Sequence, residues 1–214
     1  MAETARRKGE DTRERILSVA EAAVLAKGFS GTSIEEIIAE VGITKSGFFY
    51  HFKDKGDLAK GLLLRYLDQD RRVLDELFRR GDELHSDPLH GFLVGLKLFA
   101  EMFADLPSAH PGCLAASFAY QDQLFNREIH ALNSDGILAW RKRFRERFDA
   151  IAERYPPQQD IDFDALADMA ATLVEGGLIM GRMLNDATVL PRQILLFRDF
   201  VQMIFSKPAS LPAK

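Results

Sequence analysis

The side chains best equipped for chemistry crowd into one short stretch. Thr44, Ser46 and Tyr50 carry hydroxyls, Lys45 and Lys55 carry ammonium groups, and His51 carries an imidazole. These are hydrogen-bond donors that suit phosphate oxygens and the edges of bases. They lie around Gly47, which has no side chain and allows close approach. Elsewhere the candidates are sparse. No Gly-x-Ser-x-Gly, no Gly-rich phosphate loop and no plausible triad appears, so an enzyme is not expected. His85, His90, His110 and His130 form no i, i+4 pair and no zinc spacing, so neither a metal nor a cofactor is expected. Cys113 follows Pro111-Gly112 near an expected helix start. It reads either as a dipole-stabilised thiolate or, more commonly for a lone Cys, as a small apolar core residue.

Two short helices around a tight turn must position the donors. Ile34, Ile37, Ile38 and Val41 fall at i, i+3, i+4 and i+7, giving one buried stripe. Ser33 with Glu36 makes a capping box, and Gly42 supplies the positive φ that ends the first helix. Thr44 is placed to cap the second helix, with Phe48 and Phe52 on its inner side. This is the layout of a helix-turn-helix, whose second helix enters the major groove of DNA.

The stretch from about Asp11 to Leu67 resembles the TetR family of transcriptional regulators. The matching residues are Thr12-Arg13-Glu14-Arg15-Ile16-Leu17, Lys27-Gly28-Phe29, Thr32-Ser33-Ile34 and Tyr50-His51-Phe52-Lys53-Asp54-Lys55. The resemblance implies that Thr32, Ser33, Thr44, Lys45, Ser46, Gly47, Tyr50, His51 and Lys55 form the DNA-binding surface. In it Tyr50, His51 and Lys55 meet phosphates, and Lys45 and Ser46 meet the groove. Phe49 stands where the family usually has Tyr, so one phosphate-binding hydroxyl is missing. The resemblance further implies a C-terminal domain that binds a small molecule and dimerises through its last two helices. Candidates to line that pocket are Phe99, Met102, Phe103, Cys113, Phe118, Trp140, Phe144 and Met180, against the alternative of ordinary core.

Composition agrees with such a protein. The chain has 214 residues, 47% of them hydrophobic, enough for one or two domains with a sizeable core. Of 16 Phe, all but the four up to Phe52 lie in the C-terminal part, where a pocket or a large core would be built. A formal net charge of −4 argues against a general polyanion binder but leaves local basic placement free to act. Arg6, Arg7 and Lys8 offer a basic arm, and residues 1 to about 9 read as a polar segment ahead of a first helix from about Asp11 to Lys27. One Cys, no apolar leader and no membrane-like span point to a cytoplasmic protein.

The remaining segments have helical period, and no alternating strand pattern stands out. A long helix is expected from about Asp54 to Arg80, ended by Gly81. Further helices are expected from Pro88 to about Asp105, after Gly112, from about Asn133 to Tyr155, from about Phe163 to Leu184 and from Pro191 to Phe205. The expectation is an all-α fold of about nine helices. Residues 10–56 form the helix-turn-helix domain, with a linking helix from about 54, and residues 57–206 form the ligand-binding and dimerisation domain. Gly177 and Gly181, four apart, are expected to let a partner helix approach. The expected activity is a ligand-responsive repressor, homodimeric on a palindromic operator and released by a small molecule. A bundle enzyme and a helical adaptor that never meets DNA are the rivals. The first lacks convergent titratable groups, and the second has no use for the donors around Thr44.

Overall fold

The structure, a computed structural model, describes residues 2–206, the first seven by backbone alone. Among the described residues the fold is all-α. Nine helices run in order: α1 (Ala2–Lys27), α2 (Ile34–Val41), α3 (Lys45–His51), α4 (Lys55–Leu84), α5 (Pro88–Ala104), α6 (Leu114–Ala119), α7 (Arg127–Arg154), α8 (Phe163–Leu184) and α9 (Val189–Phe205). A single 3-10 turn, Asp122–Leu124, lies between α6 and α7. No helix is long and apolar enough to cross a membrane.

The chain forms two compact units. The first comprises, among the described residues, 2–70 and 111–136. Its core joins Ile16, Leu17 and Ala20 of α1, Ile37 and Val41 of α2, Phe48 of α3, Leu58 and Leu62 of α4, and Leu114 and Phe118 of α6. Each buried Ile, Leu, Val or Phe of this core is worth about 1.5–3 kcal/mol relative to exposure. The second unit comprises, among the described residues, 71–110 and 137–206. Its centre is aromatic: Phe78 stacks on Phe92 at 5.4 Å, and Phe144 meets both edge-on at 5.6 and 5.9 Å. Phe148 continues the cluster to Phe205 of α9.

Three boundaries differ from the sequence expectation, each for a physical reason. The first helix begins at Ala2 rather than Asp11, since residues 2–8 are mostly good helix formers and a single Gly9 costs only about 1 kcal/mol. The side chains of Arg6, Arg7 and Lys8 lie outside the described residues, as does the tail from Lys207. The charged helix α7 begins at Arg127, not Asn133, because Asn126 caps it by accepting from Ile129 N at 3.0 Å. Asn133 instead turns its amide to the Ala115 carbonyl at 3.0 Å.

Gly81 does not end α4, which continues to Leu84. Its missing side chain admits the backbone of α5. A Cβ on Gly81 would stand 2.3 Å from Gly91 O and 2.9 Å from Gly95 N. Gly177 and Gly181 are likewise turned inward, not to a partner. A Cβ on Gly177 would meet Leu190 Cδ1 of α9 at 2.8 Å, and one on Gly181 would meet Asp186 O at 3.1 Å. They let α8 close onto α9 within the chain.

Candidate nucleic-acid interface

The helix-turn-helix is built as its capping signals require. Ser33 Oγ accepts from Glu36 N while the Glu36 carboxylate accepts from Ser33 N, completing the capping box of α2. Lys27 bonds the same carboxylate at 2.6 Å. With the Ser33 bonds it lowers the Glu36 pKa to about 2, the Lys27 bond being the largest cause. Gly42 ends α2 at φ 72°. Arg15 of α1 donates to the Val41 carbonyl, so a cation closes the negative end of α2. Thr44 caps α3 by accepting from Gly47 N at 3.1 Å, and its hydroxyl also bonds Ser46 Oγ at 3.0 Å.

Phe48 and Phe52 are fully buried, 5.7 Å apart, and fix one face of α3. The Arg13 guanidinium lies over the Phe52 ring at 5.0 Å. The opposite face is open. Lys45 and Ser46 are exposed, and Tyr50 is 84% exposed. Lys45 touches Glu35 at 3.4 Å, but both side chains are largely in water, so that contact is worth little and yields readily to a phosphate. Phe49 is 43% exposed, an apolar ring on the face that carries the donors. Gly47 is half-buried, and a Cβ there would meet the Thr44 hydroxyl at 3.3 Å. The Tyr50 and His51 rings meet edge-on at 5.0 Å. Burial first, and the nearby Arg13 second, lower the His51 pKa below its ordinary 6.5.

Thr32 and Lys55 are more committed to the fold than their sequence positions suggest. Thr32 is 1% exposed and donates its hydroxyl to Gly28 O at 2.9 Å. Its side chain therefore ties the α1–α2 turn instead of facing outward. Lys55 Nζ donates to Phe29 O at 2.6 Å and lies 4.6 Å from the centre of the Phe29 ring. Burial lowers its pKa. An ammonium has three protons, so one bond to Phe29 leaves capacity for a phosphate.

Two contributors to the site have roles that the sequence does not announce, although Arg15 stands in a stretch that matches the family. Arg15 and Gln121 both act on backbone groups distant along the chain. Gln121 Oε1 accepts from Phe29 N at 2.9 Å and Ser30 N at 3.2 Å, across 92 and 91 residues. No local pattern marks such a bond.

The structure does not gather the pocket candidates around one cavity. Phe118 is buried in the first unit, stacked on Phe125 at 4.5 Å and edge-on to Phe29 at 5.5 Å. Cys113, also in the first unit, caps the short α6: its Sγ accepts from Ala116 N at 3.4 Å and from Tyr66 Oη at 3.3 Å. In the second unit Trp140 stacks on Phe144 at 5.6 Å, Phe99 lies 6.4 Å from Trp140, and Met102 is half-buried. Met180 is half exposed. A small crevice, open to solvent on one side and with interior room of about 10 Å³, enough for one water, does exist in the second unit. It is lined by Phe103, Leu106, His110, Leu178 and Leu190, with Gly177 and Gly181 at its wall. Phe103 alone of the candidates reaches it.

His85, Asp87 and His90 also come together, with the two imidazoles stacked at 4.9 Å. Asp87 is nevertheless occupied. It caps α5 through Leu89 N and His90 N, and accepts from His90 Nδ1, Tyr155 Oη and Arg154. Burial alone would raise its pKa, but these bonds hold it well below the ordinary carboxylate range. A cation there would face Arg154 and the positive end of α5.

Comparison with known proteins places this geometry. The family described as bacterial regulatory proteins, tetR family, matches residues 16–62. The transcriptional regulator AcuR of Cereibacter sphaeroides is 24% identical over 160 residues, 73% of this chain and 70% of that protein. The transcriptional regulator AcrR of Shigella flexneri is 40% identical over 58 residues, 27% of each chain. The crystal structure of a TetR transcriptional regulator from Chloroflexus aurantiacus superposes with a TM-score of 0.76 at 26% identity, covering 92% of this chain and 98% of that one. A capped α2–α3 pair with an open polar face and the family match across it identify residues 16–62 as a DNA-binding domain of the tetR family, and the nine-helix architecture around it is that of TetR/AcrR-type transcriptional regulators.

Proposed function

We propose that the chain is a ligand-responsive repressor that binds a palindromic operator as a homodimer and is released by a small molecule. Residues 10–56 carry DNA binding, and residues 57–206 carry effector binding and dimerisation. The face presented to DNA is Ser33, Thr44, Lys45, Ser46, Gly47, Tyr50 and His51, with Lys55 and the backbone near Thr32 at its edge. The work is done in the cytoplasm, where the operator is.

One observation carries the dimer. Met169, Leu173, Gly176, Met180 and Met183 recur at helical spacing along α8, and Leu196, Phe200 and Met203 do so along α9. Met183 is 80% and Met203 72% exposed, and their neighbours on the two stripes are exposed or half-exposed. A contiguous apolar patch of this kind marks an interface. A two-fold partner would cover it with the same two helices and bring two copies of α3 to one DNA face. Gly176, where a Cβ would meet nothing within 4 Å, is the small residue on that stripe. The crevice beside Phe103 is the place we assign to the effector, which must open it further to enter. Its walls include Gly177, Leu178 and Gly181, the inner face of the same helix whose outer face carries the stripe. A molecule there would press on α8 from inside.

The test is selection of duplexes from a random-sequence pool, followed by binding and sedimentation of the complex. The expected product is an inverted repeat with half-sites one or more helical turns apart, ~34 Å per turn, bound by two chains. Tight binding of a single half-site by a monomer would overturn the reading.

A further inference from the structure

We infer that Gln121, outside the helix-turn-helix, is a positioning residue for DNA binding: it holds the α1–α2 turn that sets the start of the motif. The inference rests on the DNA-binding surface proposed above.

Every backbone group of that turn needs a partner. Helix α1 closes with Gly28 N bonded to Val24 O. Beyond it the chain must turn to Ser33, the cap of α2, and no helix supplies partners for the amides in between. Buried or half-buried amides without partners are costly. Gln121 Oε1 accepts from two of them, Phe29 N and Ser30 N, and its Nε2 lies 3.4 Å from Ser30 Oγ. The carbonyls are taken from the other side. Thr32 Oγ1 donates to Gly28 O, and Lys55 Nζ to Phe29 O. Gly28 permits the approach twice over. Its φ of 78° suits glycine, and a Cβ would stand 2.7 Å from Gln121 Nε2. The Phe29 ring is held at the same place by Phe118 and Phe125.

Gln121 thus enters from residues 111–136 to bond the backbone of the DNA-binding stretch. Its loss leaves the α2–α3 caps intact but frees the turn that aims them. A DNA-binding determinant therefore lies outside residues 10–56.

The experiment uses the full-length dimer, a duplex selected by the wild-type chain, and hydrogen exchange. Gln121→Met removes the acceptor at nearly equal volume. Gln121→Asn keeps the amide but shortens its reach, and stands in if the Met variant misfolds. Either is expected to weaken duplex binding about tenfold, the factor carried by one hydrogen bond of ordinary net worth. The salt slope stays unchanged, because no phosphate contact is lost. Exchange of the Phe29 and Ser30 amides accelerates, while Gln121→Glu, whose carboxylate accepts the same two bonds, keeps them protected. A folded variant with wild-type affinity would overturn the inference, as would unprotected amides in the Glu variant. Failure of the wild-type chain to select any duplex would instead count against the DNA-binding surface itself.

Discussion

Lys55→Ala separates two roles that one ammonium group can hold. In the free protein Nζ is 2.6 Å from Phe29 O and 4.6 Å from the Phe29 ring centre. A hydrogen bond from a charged donor contributes about 1.5–3 kcal/mol, and a partly desolvated cation–π contact about 1–2 kcal/mol. The two share one cation and do not add in full. Burial lowers the Lys55 pKa, so part of the gain is offset by desolvation. The net expectation is a loss of about 2 kcal/mol, or a fall of roughly 4–8 °C in Tm for a chain of this size. Lys55→Met, which keeps most of the stem, should fall almost as far. The phosphate role has a different signature. Losing one phosphate contact lowers the slope of log K against log salt by about 0.9, with base preference unchanged. Thermal unfolding followed by circular dichroism gives the first quantity, and anisotropy titrations across salt give the second. A wild-type Tm in Lys55→Ala would refute the structural reasoning. An unchanged slope with a lowered Tm would confine Lys55 to the fold.

Other outcomes follow from the same geometry. Gly176→Arg places charge on the exposed α8 stripe and should give a folded monomer by sedimentation, with operator affinity lost. Gly177→Arg should fail earlier, as a loss of fold seen by circular dichroism, because Leu190 fills that space. His51 is depressed below 6.5 by burial and Arg13, so it is neutral at pH 7. A phosphate beside it favours the imidazolium, so affinity should rise as pH falls from about 7.5 to 6, and His51→Gln should flatten that profile. Without DNA the sign reverses: the unfolded imidazole takes its proton first, so stability is lost as pH falls through 6.5. Gly81→Ala should destabilise by about 2–4 kcal/mol in denaturant titration, since a Cβ 2.3 Å from Gly91 O forces α4 and α5 apart.

What could be read from the chain was what local chemistry writes there. The Ser33–Glu36 box, the Gly42 terminus, the Thr44 cap and the Asp87-Pro88 start are each set by residues within four positions of one another, and each stands as expected. The tertiary reasons for a residue were not legible. Gly81 looks like a helix terminator until α5 is seen against it. Gly177 looks like a contact for a partner until Leu190 is seen beneath it. Gln121 looks like an exposed polar residue of a loop, because its two bonds span more than ninety positions. The aromatic richness of the C-terminal part was visible, but not its use. Trp140 and Phe144 stack on one another, and the cavity opens elsewhere, beside Phe103 and His110.

The inward glycines bear on how the proposed effector would act. A ligand can shift the two-subunit arrangement only by its differential affinity for the two forms, and a swing from 99:1 to 1:99 needs about 5.5 kcal/mol. In a crevice with room for about one water that difference cannot come from many polar contacts. It can come from the packing of α8 itself. Gly177 and Gly181 hold α8 so close to α9 and to the Asp186 turn that no methyl group fits between them without movement. A small apolar molecule wedged at that wall must displace the helix, since close-packed interiors do not deform continuously. The face that would move is the one bearing Gly176, Met180 and Met183. In the proposed dimer a displacement there would change how the two copies meet, and with it the distance between their recognition helices.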